Sequence, residues 1–390
     1  MNLCILDDVL RTPTHIVVRN NEYVLTRAIP SDCWVYGKTR HPNCVQTLCK
    51  IYNNPVPSIY TDTEKRTFEV LGKQPDSVPW IHVLGLDRIK KRIYNISNHL
   101  ETVLGASSRK LYNEIYLDTR KLLGCLSPAY VCIKTLEKFI TTEQNSSLRT
   151  CLETFRPLSD QKAKPVIYNQ AGTSTGRLTV KSGPSILTLP SRYRSILKSR
   201  YKNGSIVSID FKSLEPRVAL SVREKSAPDD IYTHISESIL GGKTNRDVAK
   251  IATIAALYGI SFKKFKEMSK CNDRSVLDRV KDFFAVKIMT KNLAGKEFKN
   301  YWGRPLNPNA PEHVRISHFI QSTSCDTVNV GFWNFLKELK KLSIVTTPIF
   351  VLHDALILDV PPESFNKISE LCKLGIKTPL GIFPTTCEKF

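Results

Sequence analysis

The chain has no apolar run long enough to span a bilayer. It also lacks the basic start of a secretory signal, since MNLCILDDVL opens with two acids instead. No internal repeat and no low-complexity tract interrupts its 390 residues, which are enough to bury one large core or two to three modest ones. The eleven cysteines contain no C-x-x-C pair. An odd, scattered set of thiols without a leader is expected to stay reduced, so the predicted location is intracellular, cytoplasmic or nucleoid-associated, with no membrane partner. Cys33, His41, Cys44 and Cys49 offer four side chains of zinc-ligand type. Their spacing fits no common zinc module, and semi-buried residues are the expectation there.

Acid is scarce too. Thirty-six Asp and Glu stand against fifty-seven Lys and Arg, a net charge of +21. A surplus of that size favours a polyanionic partner, because each phosphate neutralised releases condensed counterions. Charge points to nucleic acid without saying what is done to it.

Residues 1–85 carry scattered Pro, Asn and Cys and predict no definite architecture. RIKKRIYNISNHLETVL and SRKLYNEIYLDTRKLLGCL then space apolar residues three and four apart, the pattern of amphipathic helices. Gln144 to Lys164 is polar, and Asn145-Ser146-Ser147 reads as a loop. PVIYNQ has a strand-like start. SIVSIDF (205–211) alternates and is β-branched, a buried strand ending in an acid. LEPRVALSV predicts a helix with Pro216 in its first turn. NRDVAKIATIAALYG predicts a helix closed by Gly259. IFVLHDALILDV reads as two short strands hinged at His353-Asp354.

Asp210 ends one apolar strand and Asp354 lies at a turn between two others. A carboxylate there is costly unless it meets a cation or a donor. If the strands share a sheet, the two acids can face each other across roughly 4 Å, the spacing of a two-metal site. Between them in sequence lies the helix in which Arg246, Lys250, Ile254 and Tyr258 recur every fourth residue. Each is displaced by only about 40° from the last, so two cations, an apolar residue and an aromatic form one slowly turning stripe. Such a stripe suits a nucleotide, with charges on the phosphates and a flat side chain near the base and sugar.

The run TSTGRL, then DFKSLEPR, then RDVAKIATIAALYG, then LHDA resembles the ordered motifs of family A DNA polymerases. Asp230-Ile231-Tyr232, Trp302-Gly303-Arg304-Pro305, Gln321-Ser322-Thr323 and the closing KTPLGIFPTTCEKF resemble lesser elements of the same family, over residues 165–390. The resemblance implies an α+β right-hand fold with an antiparallel palm, helical fingers and a helical thumb. The expected limits are 86–165 for the thumb, 166–221 and 316–390 for the palm, and 222–315 for the fingers.

It further implies primer–template DNA and deoxynucleoside triphosphates as partners and two Mg²⁺ ions as cofactor, held by Asp210, Asp354 and the Phe211 carbonyl. Arg246 and Lys250 would bind the incoming phosphates, and Lys250 would protonate the leaving group. Tyr258 would pack by the base pair and touch Glu215, whose side chain would fill the space a ribose 2′-hydroxyl needs. Arg177, His353, Gln321 and Arg304 are grouped with the DNA-contacting residues. No processivity or replisome partner can be named from these motifs.

Two positions depart from the family pattern. Ile254 stands where an aromatic is usual, and Ala355 replaces a Glu, removing one auxiliary carboxylate. Gly241-Gly242-Lys243-Thr244 imitates the end of a P-loop, but Glu237 stands where the first Gly belongs and no strand precedes it. Asp62-Thr63-Glu64 has the D-x-E form of a proofreading exonuclease. Only about 110 residues separate it from T-G-R-L, so no complete exonuclease domain is expected. Two competing readings stay open: a single-subunit RNA polymerase, against which Glu215 counts, and an inactive primer–template-binding protein, against which both aspartates count.

Overall fold

The computed structural model describes residues 2–19, 22–30, 32–37, 44–106, 109–157, 160–295 and 297–390. They form two compact units, residues 1–120 and 121–390. The division falls inside the 86–165 segment. No helix among the described residues is long and apolar enough to cross a membrane.

The first unit has an architecture that its sequence did not predict. Strands Glu22–Thr26, His15–Arg19 and Leu3–Ile5 pair antiparallel in that order, and Trp34–Tyr36 joins Leu3–Ile5 in parallel. Cys4, Leu6, Val17, Cys33 and Val35 fill its small core. The helix Leu86–Gly105 buries Ile89, Ile93, Ile96, Leu100 and Val103, the face its periodicity predicts. The D-x-E segment proves to be a helix start. Thr61 and Glu64 close a capping box, with Thr61 Oγ1 accepting from the Glu64 N–H at 3.2 Å. Arg88 holds Glu64 at 2.6 Å, and Lys65 holds Asp62 at 2.8 Å.

All eleven cysteines are free thiols. Cys33, Cys44 and Cys49 are buried, and burial pushes the Cys49 thiol up to about 11. His41 lies outside the described residues. Among the described ones, no group of three or more His, Cys, Asp or Glu side chains is placed to hold a metal.

The second unit is built on an antiparallel sheet in the order Thr347–Leu352, Ala355–Val360, Ser205–Phe211, Thr385–Lys389. Ala355–Val360 is buried at every residue, as a central strand covered on both faces must be. Val207, Ile209, Leu356, Ile357 and Leu358 are closed to solvent, each worth ~1.5–3 kcal/mol relative to exposure. Phe332 and Phe335, on the helix Glu312–Lys341, belong to the same core, and the rings of Phe332 and Phe211 lie 5.2 Å apart. That thirty-residue helix buries Ser322, Thr323, Ser324, Asp326, Thr327 and Asn329 along with its apolar side chains. A second core joins the helices Arg246–Tyr258, Phe262–Ser269, Arg274–Phe283 and Val286–Asn292.

Asn145-Ser146-Ser147 corrects the sequence reading. It opens a helix, Ser146–Glu153, because the Asn145 side chain accepts from the backbone N–H groups of Ser147 and Leu148 at 3.0 and 3.2 Å.

Candidate active site

The site begins with the strand Ser205–Phe211. Its alternation turns Ile209 and Phe211 inward and leaves Asp210 on the open face. Asp210 lies opposite Ala355 on one side and Thr386 on the other. Ala355 directly follows Asp354, which sits in the two-residue turn between the neighbouring strands. His353 takes the left-handed conformation there, with φ 57°. The predicted hinge is therefore a tight hairpin, and it carries Asp354 to the end of the ladder beside Asp210.

Asp210 is pushed up to about 7, first by desolvation of its carboxylate and second by the Asp354 charge. The Phe211 backbone N–H pulls the other way. The residue keeps an open side, so water screens part of this repulsion. Among the described residues, no Lys or Arg pairs with either aspartate. An all-oxygen pair of acids without a protein counter-charge fits a hard divalent cation such as Mg²⁺, which keeps waters and shares substrate phosphates instead of filling a protein cage.

After Phe211 the chain turns through Ser213, at φ 51°, into the helix Leu214–Ser221. Glu215 is thereby thrown toward the acids. Arg177 reaches it from the TSTGRL loop, with Nη2 2.9 Å from Glu215 Oε1. The Tyr258 hydroxyl donates to the other carboxylate oxygen. Burial and that carboxylate both raise the Tyr258 phenol, keeping it protonated as the donor.

Two adjoining cavities of about 270 and 300 Å³ share Arg177, Leu214, Glu215 and Asp354. The first also touches His353 and Gln321. The second is walled by Ile254, Tyr258 and Phe211.

The helix Arg246–Tyr258 starts at Asn145's counterpart in role, Asn245, whose side chain accepts from the Val248 N–H at 2.9 Å. It ends at Gly259, with φ 66°. A Cβ at Gly259 would stand 2.2 Å from the His313 carbonyl oxygen, so both conformation and space require glycine. Ile254 and Tyr258 reach the cleft, while Arg246 and Lys250 lie on exposed turns farther along the same stripe. Arg246 is bound to Asp230 at 2.9 Å and lies over the Tyr232 ring.

The geometry sets Arg304 apart from the other expected DNA contacts. It is 2% exposed, 3.7 Å from the buried Asp326, and donates to the Gln170 carbonyl at 2.9 Å. It has no surface to offer a nucleic acid. Sequence reasoning missed Asp326 and Asn300, which fix it. The available signal was the polar string Ser322–Asn329 inside a long helix between apolar segments.

No protein-family model matches the chain. Curated relatives named DNA polymerase I do resemble it. The protein from Caldicellulosiruptor bescii is 21% identical over 261 residues, covering 55% of this chain and 30% of its own length. The one from Synechocystis is 22% identical over 269 residues, 55% of this chain and 27% of its own. The chain thus spans under a third of these relatives. Among solved structures, the POL domain of Pol1 from M. smegmatis, in complex with DNA primer-template and dNTP, matches with a TM-score of 0.66 at 12% identity. That match covers 88% of this chain and 81% of the other.

The chain shares the fold of that POL domain, and just over half of it resembles DNA polymerase I. The antiparallel sheet carries Asp210 on a central strand and Asp354 at the adjoining hairpin. Ala355, where the resemblance to family A polymerases expects a Glu, is 7% exposed and packs into the core under the sheet. The two cavities thus join Asp354 to the Arg177–Glu215–Tyr258 set with an aliphatic wall at Ile254, and Asp210 lies next to Asp354 in the sheet.

Proposed function

We propose that this chain extends a primer 3′-hydroxyl on a DNA template with deoxynucleoside triphosphates, using two Mg²⁺ ions at Asp210, Asp354 and the Phe211 carbonyl. One observation carries the reading: Asp354, with Asp210 beside it in the sheet and neither paired to a protein counter-charge among the described residues, lines the same cavities as the Arg177–Glu215–Tyr258 set. The ions, when bound, supply activation of the hydroxyl and charge stabilisation on the triphosphate.

The residues divide the remaining work. Tyr258 and Ile254 wall the base and sugar, and Glu215, pinned by two partners, closes the space beside C2′. Lys250 and Arg246 lie outward along the same stripe, where a triphosphate tail extends from a base stacked near Tyr258. Arg246 already donates through Nε to Asp230, which leaves its two terminal nitrogens for that tail. Arg177, His353 and Gln321 line the cavity on the primer and template side. The proposed limits are thumb 86–165, palm 166–221 and 316–390, and fingers 222–315.

Extension of a labelled primer with Mg²⁺, against the same reaction with chelator, tests the activity. Lys250→Ala is expected to slow single-nucleotide incorporation by ~10²–10³-fold, the range of a lost general acid and phosphate contact. Duplex affinity, read by fluorescence anisotropy, should stay within about threefold, because phosphate contacts elsewhere carry binding. Equal losses in both would remove Lys250 from the nucleotide site. The capping role of Thr61 and Glu64 supports the further proposal that Asp62 and Glu64 do no proofreading. Degradation of a mismatched primer end that an Asp62→Asn variant abolishes would contradict it.

A further inference from the structure

We propose that Arg304 is a positioning residue, whose buried guanidinium clamps the loop 170–177 onto the Glu312–Lys341 helix and so aims Arg177 at Glu215. The proposal rests on the polymerase reading above.

The clamp starts in the turn that carries Arg304. Asn300 Oδ1 accepts from the backbone N–H groups of Trp302 and Arg304 at 3.0 and 2.9 Å, which locks the turn. Asn300 Nδ2 donates to Asp326 at 2.7 Å and to Ser322 Oγ at 3.0 Å, which docks the turn on the helix. The Tyr301 N–H and the Trp302 indole add bonds to Thr323 and Thr327 at 3.2 and 3.0 Å. Arg304 is thus fixed from its own backbone and from the helix before it meets the loop.

It meets the loop at both ends. Nη2 donates to the Gln170 carbonyl at 2.9 Å. At the other end Gly176, at φ +78°, lies flat on the guanidinium. A Cβ there would stand 2.5 Å from Arg304 Cζ. A tethered, 2%-exposed side chain cannot move aside, so Gly176 is required by the clamp as well as by its backbone conformation. Cys325 Sγ, on the same helix, donates to the Gly176 carbonyl at 3.4 Å. The next residue is Arg177, which holds Glu215 at 2.9 Å, and Glu215 holds the Tyr258 hydroxyl. Contacts therefore run unbroken from the Glu312–Lys341 helix through Arg304 and Arg177 to the nucleotide-side wall. Lysine keeps the charge at position 304 but loses the planar fork that spans the Gln170 carbonyl, Asp326 and Gly176 together.

Arg304→Lys and Gly176→Ala test this from opposite sides, the second leaving the buried ion pair in place. In hydrogen exchange without DNA, both are expected to raise exchange of the 170–178 amides tenfold or more, on the order expected for losing a locked loop. Residues 347–360 should stay as protected as in the wild type. In primer extension, each is expected to lower kcat/KM by ~10–50-fold, but by about twofold or less in an Arg177→Ala background, since coupled positions are non-additive. Unchanged loop exchange, or equal losses in both backgrounds, overturns the proposal. A wild-type chain that extends no primer overturns the polymerase reading instead, and with it the kinetic half of this one.

Discussion

Primer extension by the Asp354→Asn variant is expected to fall by ~10⁴-fold or more, with folding intact. The side chains match in size, and Asp354 makes no ion pair among the described residues, so asparagine removes charge and little else. It also removes the like charge facing Asp210, so the metal-free variant should melt no lower than the wild type. Mg²⁺ completes the contrast. A ligand that binds only the native state stabilises it by mass action, so millimolar Mg²⁺ should raise the wild-type Tm and leave the variant's nearly unmoved. Thermal scans with and without Mg²⁺, beside the extension assay, read both effects. Activity within tenfold of wild type would remove Asp354 from the metal site.

The second large effect is at Glu215. Its carboxylate is held between Arg177 and Tyr258, and it lines both cavities. It therefore stands as a fixed wall, not a swinging side chain. Glu215→Ala opens that wall, and the preference for deoxy- over ribonucleotides is expected to drop by ~10²-fold or more, the scale on which a shaped pocket discriminates one hydroxyl. Deoxynucleotide incorporation should slow as well, since Arg177 and Tyr258 lose their common partner. The ratio of the two kcat/KM values is the informative quantity. A ratio unchanged within threefold would place the sugar's 2′ side elsewhere, with Ile254 the next residue to examine.

What the sequence revealed and what it concealed follow from the range of the interactions involved. SIVSIDF and IFVLHDALILDV announced their strands because alternation and β-branching are local, and the pairing of Asp210 with Ala355 then placed both acids at one end of the ladder. The helix Arg246–Tyr258 was equally legible, since its asparagine cap, alanine interior and closing glycine act within four residues of themselves. The first unit was opaque because its strands are three to five residues long, and one pair, Leu3–Ile5 with Trp34–Tyr36, is a parallel contact across thirty residues. Asn145 was misread because the same side chain favours a turn or an N-cap, and only the residues after it decide which. Arg304 was misplaced for a related reason. An arginine in a Gly-Arg-Pro turn looks like a surface contact, and its partner Asp326 lies twenty-two positions away inside a helix whose polar side chains are buried.

The most direct test is single-nucleotide incorporation on a primer–template with Mg²⁺, offering each of the four deoxynucleotides opposite each template base. The proposed function predicts addition of one nucleotide, governed by the template base, lost with chelator and lost in Asp354→Asn. Addition that ignores the template base, or an active preparation in which Asp354→Asn is as fast as the wild type, would contradict it.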